Sequence, residues 1–170
     1  MEDITVRQLE VFFDYACPYC LAGHGHLMQL LPKHTDIEVV WRPCEAHPRP
    51  EVRNRYSDKC IESLFFAMDS GANLTEFNQR MYDAAQKDNI NIEDPDALAS
   101  YFTGLLDPAA YRDALTSCKY AQAALDANDY AYEQSEVWVI PAYRMDGRKL
   151  DAAAGVGVTA ELLADFLNAN

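Results

Sequence analysis

The sequence is short of positive charge. Of its 170 residues, 14 are lysine or arginine and 27 are aspartate or glutamate, a formal net charge of -13. An average surface therefore repels nucleic-acid phosphates and anionic membranes, and no nucleic-acid partner is expected. The acids are spread without a long run, which reads as a solvated face. Long hydrophobic runs are also missing: no stretch has the ~18 apolar residues that span a bilayer. Met1 to Val6 is polar and acidic, unlike an export signal. A cytoplasmic protein without a membrane partner is the expectation, a trimmed export signal being left open. Cysteine is scarce and odd in number, five at irregular spacing, which does not make the framework of a small secreted disulfide scaffold. What remains, 49% hydrophobic and 24% charged residues, is the composition of a globular protein of one domain, or of one domain with a sizeable insertion.

Gln8 to Tyr15 alternates and is rich in aromatic residues, with Leu9, Val11, Phe13 and Tyr15 on one face, so a strand is predicted that runs into Cys17. Pro18 to Leu31 suits a helix, although Gly23 and Gly25 each weaken it by roughly 1 kcal/mol. Ile37 to Arg42 reads as a second strand, broken by Pro43, Pro48 and Pro50. Helical periodicity then dominates from about Arg53 to Gln134. Thr75, Asp94 and Asp107 are read as helix caps, the last two each followed by a proline at the first helical position. Tyr120 to Gln134 forms the last helix of this region, with Tyr120, Ala123, Ala124, Ala127 and Ala131 against the sheet. Strand returns over Val137 to Met145, turns at Asp146-Gly147 and runs back to Asp151. Thr159 caps a final helix with the stripe Leu162, Leu163, Phe166 and Leu167. The expected division is residues 1–52, β-α-β; residues 53–118, an inserted helical subdomain; and residues 119–170, α-β-β-α.

Cys17-Pro18-Tyr19-Cys20 stands where the first strand becomes a helix. Unpaired N–H groups and the positive end of the helix dipole lower the pKa of a thiol at Cys17 below the free value of ~8.5. Cys17 is the expected nucleophile, and Cys20, one turn inside, the resolving thiol. Two other readings compete. Cys17, Cys20 and His24 share a helix face and are three of the four ligands a zinc site needs, but no fourth is in view, and no metal is expected. The pair could also be inert and buried. Pro141 interrupts the strand-like run Val137 to Ile140, where a central strand should not tolerate it. A cis Ile140-Pro141 bond would leave the Ile140 backbone free to pair with a substrate segment, whereas an ordinary trans proline at an edge strand is the commoner case.

Together these features resemble the thioredoxin superfamily, and the helical insertion resembles its DsbA-like branch. Asp14-Tyr-Ala-Cys17-Pro-Tyr-Cys20-Leu-Ala-Gly23 looks like the D-x-x-C-P-W-C-x-x-G signature of FrnE-like DsbA proteins, and Trp41-Arg42-Pro43 with His47-Pro48 resembles their second-strand motif. The resemblance implies an α/β thioredoxin-like fold, a central sheet flanked by helices with an inserted all-helical subdomain. It implies a thiol-disulfide oxidoreductase with nucleophilic Cys17, resolving Cys20 and a facing cis-Pro141, with Ile140 pairing with the substrate; the groove between Pro18-Tyr19, Ile140-Pro141 and the helical cap is expected to set which substrate binds. Two positions depart from it. Val11 stands where thioredoxin and DsbA carry a buried carboxylate, and Val139 replaces the glycine usual before the family's Val-Pro.

Asp14 is the nearest alternative acid, read either as a modulator of the cysteines or as a cap of the active-site turn. His24 is read as an exposed helix histidine that could donate to the Cys17 thiolate. Cys44 and Cys60 are either buried thiols or an accessory redox pair, and Cys118 is read as core. His34 and His47 carry no visible chemistry. No cofactor is expected beyond the redox-active disulfide, with glutathione or another small thiol as a conceivable co-substrate. Disulfide- or dithiol-containing proteins and small thiols are the expected partners of a monomer or homodimer. Two other functions share this frame: a glutathione-dependent isomerase or kappa-class transferase, of the 2-hydroxychromene-2-carboxylate isomerase type, and a redox-regulated, chaperone-like peptide-binding module. The former typically carries serine where Cys17 stands.

Overall fold

The computed structural model describes residues 5–169. The first strand, β1 (Arg7–Phe13), leads to helix α1 (Pro18–Leu30), a short 3-10 turn (Leu31–Lys33) that takes in Pro32, and strand β2 (Ile37–Pro43). β2 pairs in parallel with β1, Leu9 against Val39 and Val11 against Trp41. Five helices follow: α2 (Asp58–Asp69), α3 (Leu74–Gln86), α4 (Pro95–Tyr101), α5 (Pro108–Thr116) and α6 (Ala121–Asp129). The chain returns through strands β3 (Ala142–Met145) and β4 (Arg148–Asp151) and closes with α7 (Ala160–Asn168). The sheet order is β2-β1-β3-β4, with β3 antiparallel to both neighbours. No helix among the described residues is long and apolar enough to cross a membrane.

The hairpin, its Asp146-Gly147 turn with both residues at positive φ, and the caps Asp94, Asp107 and Thr159 are as predicted. Other expectations need correction. The first strand stops at Phe13, because the Asp14 side chain accepts from the Ala16 N–H at 2.9 Å and turns the chain. Helix α3 is capped by Asn73, whose side chain accepts from the Glu76 N–H, and Thr75 lies within its first turn. Extended pairing begins only at Ala142: Glu136 is at positive φ, Trp138 points to solvent, and Pro141 has no N–H to give a ladder. The last helix of the middle region ends at Asp129 and continues as a π turn to Gln134. Leu162 is exposed, so the stripe of α7 that faces the core is Leu163, Phe166 and Leu167. Cys118 is exposed rather than core, because α5 ends at Thr116 and Cys118 takes a left-handed conformation beyond it.

Candidate active site

Strand β1, buried on both faces from Val11 onward, delivers the chain to the dithiol turn. Cys17 is the N-cap residue of α1 with Pro18 at the first helical position, where a missing N–H costs nothing. The Cys17 carbonyl accepts from the N–H groups of Cys20 and Leu21, each at 3.1 Å. From α3, the Gln86 amide donates to the carbonyls of Tyr15 at 2.7 Å and Cys17 at 3.0 Å. Gln86 therefore fixes the turn to the inserted helices, a role with no mark in the local sequence because the two segments meet only in the fold.

The two thiols differ in environment. Cys17 is half-buried, and its pKa is lowered from the usual thiol value to about 7. The largest cause is the Cys20 S–H donating to the thiolate, helped by the N–H groups of Cys20 and Tyr19 and opposed by burial and by the Asp14 charge. Cys20 is 1% exposed, and burial, with the neighbouring Cys17, pushes its thiol well above the ordinary range. At neutral pH one sulfur is accessible and about half thiolate, and the other is a sheltered thiol.

The Ile140-Pro141 bond is cis, and Pro141 is buried against α1 at Gly23, one turn beyond Cys20. A β-carbon built on Gly23 would lie 3.1 Å from Pro141 Cγ and 2.8 Å from the Tyr143 hydroxyl, so only glycine lets the redox helix meet this loop. Tyr19 is exposed, and its ring packs where a β-carbon on Gly157 would come within 3.2 Å. Cys17, Pro18, Tyr19 and Asp14 line one groove. The side chain of Ile140 is turned into the core.

Asp14 is 5% exposed and bridges two segments: its carboxylate accepts from Ala16 N–H at 2.9 Å and from Ala46 N–H, beyond β2, at 2.8 Å. Burial raises its pKa despite those bonds and one from Ser57. With Val11 buried at the expected carboxylate position, Asp14 is the acid that lines the groove with Cys17, and its backbone N–H faces the Cys20 sulfur. His24 must be corrected: it is buried, not exposed, between Trp41 and Tyr82, with ring centroids 5.9 and 5.0 Å away, and burial lowers its pKa to about 4. A neutral, enclosed imidazole is a packing group rather than a cation for Cys17. All five cysteines are free thiols. Cys44 and Cys60 are both fully enclosed, and burial pushes Cys44 up to about 12 and Cys60 well above the ordinary range, an environment for packed thiols rather than exchanging ones.

A four-stranded mixed sheet with a dithiol at the start of its first helix, a proline loop facing that helix and a helical insertion after β2 defines the thioredoxin fold of the DsbA-like kind. The family described as the DSBA-like thioredoxin domain matches residues 8–167, and the chain belongs to it. Among curated proteins it is 24% identical over 193 residues to the uncharacterized protein YwbO of Bacillus subtilis, covering 92% of this chain and 96% of that one. Among solved structures, a probable DsbA oxidoreductase from Streptomyces coelicolor superposes with a TM-score of 0.75 at 18% identity, over 95% of this chain and 88% of that one. DsbA from Chlamydia trachomatis superposes with a TM-score of 0.73 at 12% identity, over 95% and 84%.

Proposed function

We propose that the protein is a thiol-disulfide oxidoreductase in which Cys17 attacks, or is attacked by, a substrate sulfur and Cys20 resolves the mixed disulfide. The carrying observation is the asymmetry of the pair, an accessible Cys17 with a pKa of about 7 beside a Cys20 buried at 1% exposure. Exchange needs a thiolate to attack and a good thiolate to leave, and a thiol with its pKa near ambient pH serves both. In the oxidising direction, a substrate thiolate attacks Cys17 of the disulfide and the electron pair leaves on Cys20. A second substrate thiolate then displaces Cys17, so the substrate gains a disulfide and the protein keeps two electrons. The reverse sequence reduces a substrate disulfide. Pro18 and Tyr19, which line the groove with Cys17, and the Ile140-Pro141 loop packed on α1 at Gly23 are assigned to substrate binding.

The test is trapping. Cys20→Ser should accumulate a mixed disulfide at Cys17 when given a disulfide substrate, one substrate thiol being released, whereas Cys17→Ser should form none and lose exchange activity. Full exchange activity in Cys17→Ser sinks the reading.

A further inference from the structure

The groove that opens on Cys17 has a volume of about 580 Å³, within the range of small-molecule sites. One wall is the dithiol turn. The other is the segment between β2 and α2, which supplies His47, Val52, Arg53, Asn54, Arg55 and Tyr56. In a chain of net charge -13 this wall carries two arginines, Arg53 and Arg55. The Arg53 guanidinium lies 2.7 Å from His47 Nδ1 and is paired with Glu51 at 2.9 Å. Arg55 is half-buried and donates to the Ala85 carbonyl at 2.7 Å; among the described residues it has no acidic partner. The acid on this lining, Asp14, already accepts from two backbone N–H groups. The groove lining thus includes an accessible sulfur and an arginine with no acidic partner among the described residues, the side chain best shaped to hold a carboxylate.

We propose that this groove binds the carboxylate of an anionic low-molecular-weight thiol through Arg55, with Arg53 as a second guanidinium nearby, and presents the ligand's sulfur to Cys17. The proposal rests on the disulfide-exchange reading and names its small co-substrate class. In the reducing direction, the ligand thiolate attacks Cys17 of the Cys17–Cys20 disulfide. The S–S bond breaks and its electron pair goes to Cys20, which takes a proton. A second ligand thiolate attacks the ligand sulfur of the mixed disulfide and frees Cys17 as thiolate. Two thiols leave as one disulfide, and the protein has gained two electrons.

The experiment follows loss of the Cys17–Cys20 disulfide, by quenched mass spectrometry, in mercaptosuccinate, 2-mercaptoethanol or cysteamine, with rates expressed per thiolate. The wild type should favour mercaptosuccinate, less so as salt rises. In Arg55→Ala the mercaptosuccinate-to-mercaptoethanol ratio should fall about three- to tenfold, and Arg55→Lys should restore part of it. Since Arg55 also anchors on Ala85, Arg53→Ala provides a second, exposed variant, in which a smaller fall is expected. Equal ratios in wild type and both alanine variants overturn the proposal, as does a wild type that prefers cysteamine. An Arg55 effect confined to cysteine peptides with acidic neighbours also overturns it, because an acidic protein segment is then the occupant. Absence of exchange with all three thiols would instead strike the oxidoreductase reading itself.

Discussion

Gly23 of the redox helix stands against Pro141 so closely that a β-carbon there would lie 3.1 Å from its Cγ and 2.8 Å from the Tyr143 hydroxyl. Two of the three nearest atoms belong to a buried proline ring, which cannot swing aside. Gly23→Ala should destabilise the protein by about 1–3 kcal/mol and slow exchange by displacing the Pro141 loop. Gly25, two residues on, has nothing within 4 Å of its virtual β-carbon, and Gly25→Ala should stabilise by about 0.5–1 kcal/mol. Denaturant unfolding of the two variants checks both signs; a neutral Gly23→Ala means that the contact yields.

That pair shows what the sequence can and cannot disclose. Both glycines look alike as helix-weakening residues, because propensity is local and the Pro141 contact joins residues over a hundred positions apart. The hairpin, the caps at Asp94, Asp107 and Thr159, and the dithiol at a strand-to-helix junction were legible because their signals lie within a few adjacent residues. His24 was misread as exposed because α1 is covered on that side by Trp41 and Tyr82, from β2 and α3. Gln86 and Arg55 left no sign either: their partners are brought close only by packing of the inserted helices. The absence of an acid at Val11 was visible; that Asp14 is buried in the groove lining could be read only from its backbone partners.

The lowered pKa of Cys17 sets a pH profile. Alkylation of Cys17 in the reduced protein by iodoacetamide, followed on its own peptide because the exposed Cys118 is labelled as well, should show a single titration with its midpoint near 7, and Cys20, Cys44 and Cys60 should resist labelling until unfolding. A thiol whose folded pKa lies below its unfolded value adds stability above the unfolded pKa, and that stability is lost as pH falls through the folded one. Reduced wild type should therefore gain stability over Cys17→Ser between about pH 7 and 9. A midpoint at 8.5 or above removes the basis for Cys17 as nucleophile.

His24 should make the fold acid-sensitive. Its folded pKa of about 4 lies below the unfolded value near 6.5, so the neutral ring favours folding above pH 6.5, and this contribution is lost progressively toward pH 4. Asp14, Glu45 and Glu62 have raised pKa values and act in the opposite sense, so the wild-type curve alone does not isolate the histidine. The difference between wild type and His24→Phe does: it should shift in favour of the variant as pH falls from 6.5 to 4. A difference that stays flat over that range contradicts a buried neutral imidazole.

Asp14 holds the dithiol turn to the segment after β2 through Ala16 and Ala46, and its charge also opposes the thiolate at Cys17. Asp14→Asn separates the two effects. The amide oxygen can keep one of the two backbone bonds, the other is lost, and the negative charge is gone. Removal of that charge should move the Cys17 alkylation midpoint below 7, while the lost bond should cost about 1 kcal/mol of stability. Asp14→Ala removes both bonds and should destabilise further, by more than the asparagine variant, with a midpoint shifted in the same direction. If Asp14 served only as a clamp, stability would fall in the order wild type, asparagine, alanine with the Cys17 midpoint fixed near 7. A downward midpoint shift common to both variants identifies the carboxylate as the group that keeps Cys17 from becoming a still weaker base.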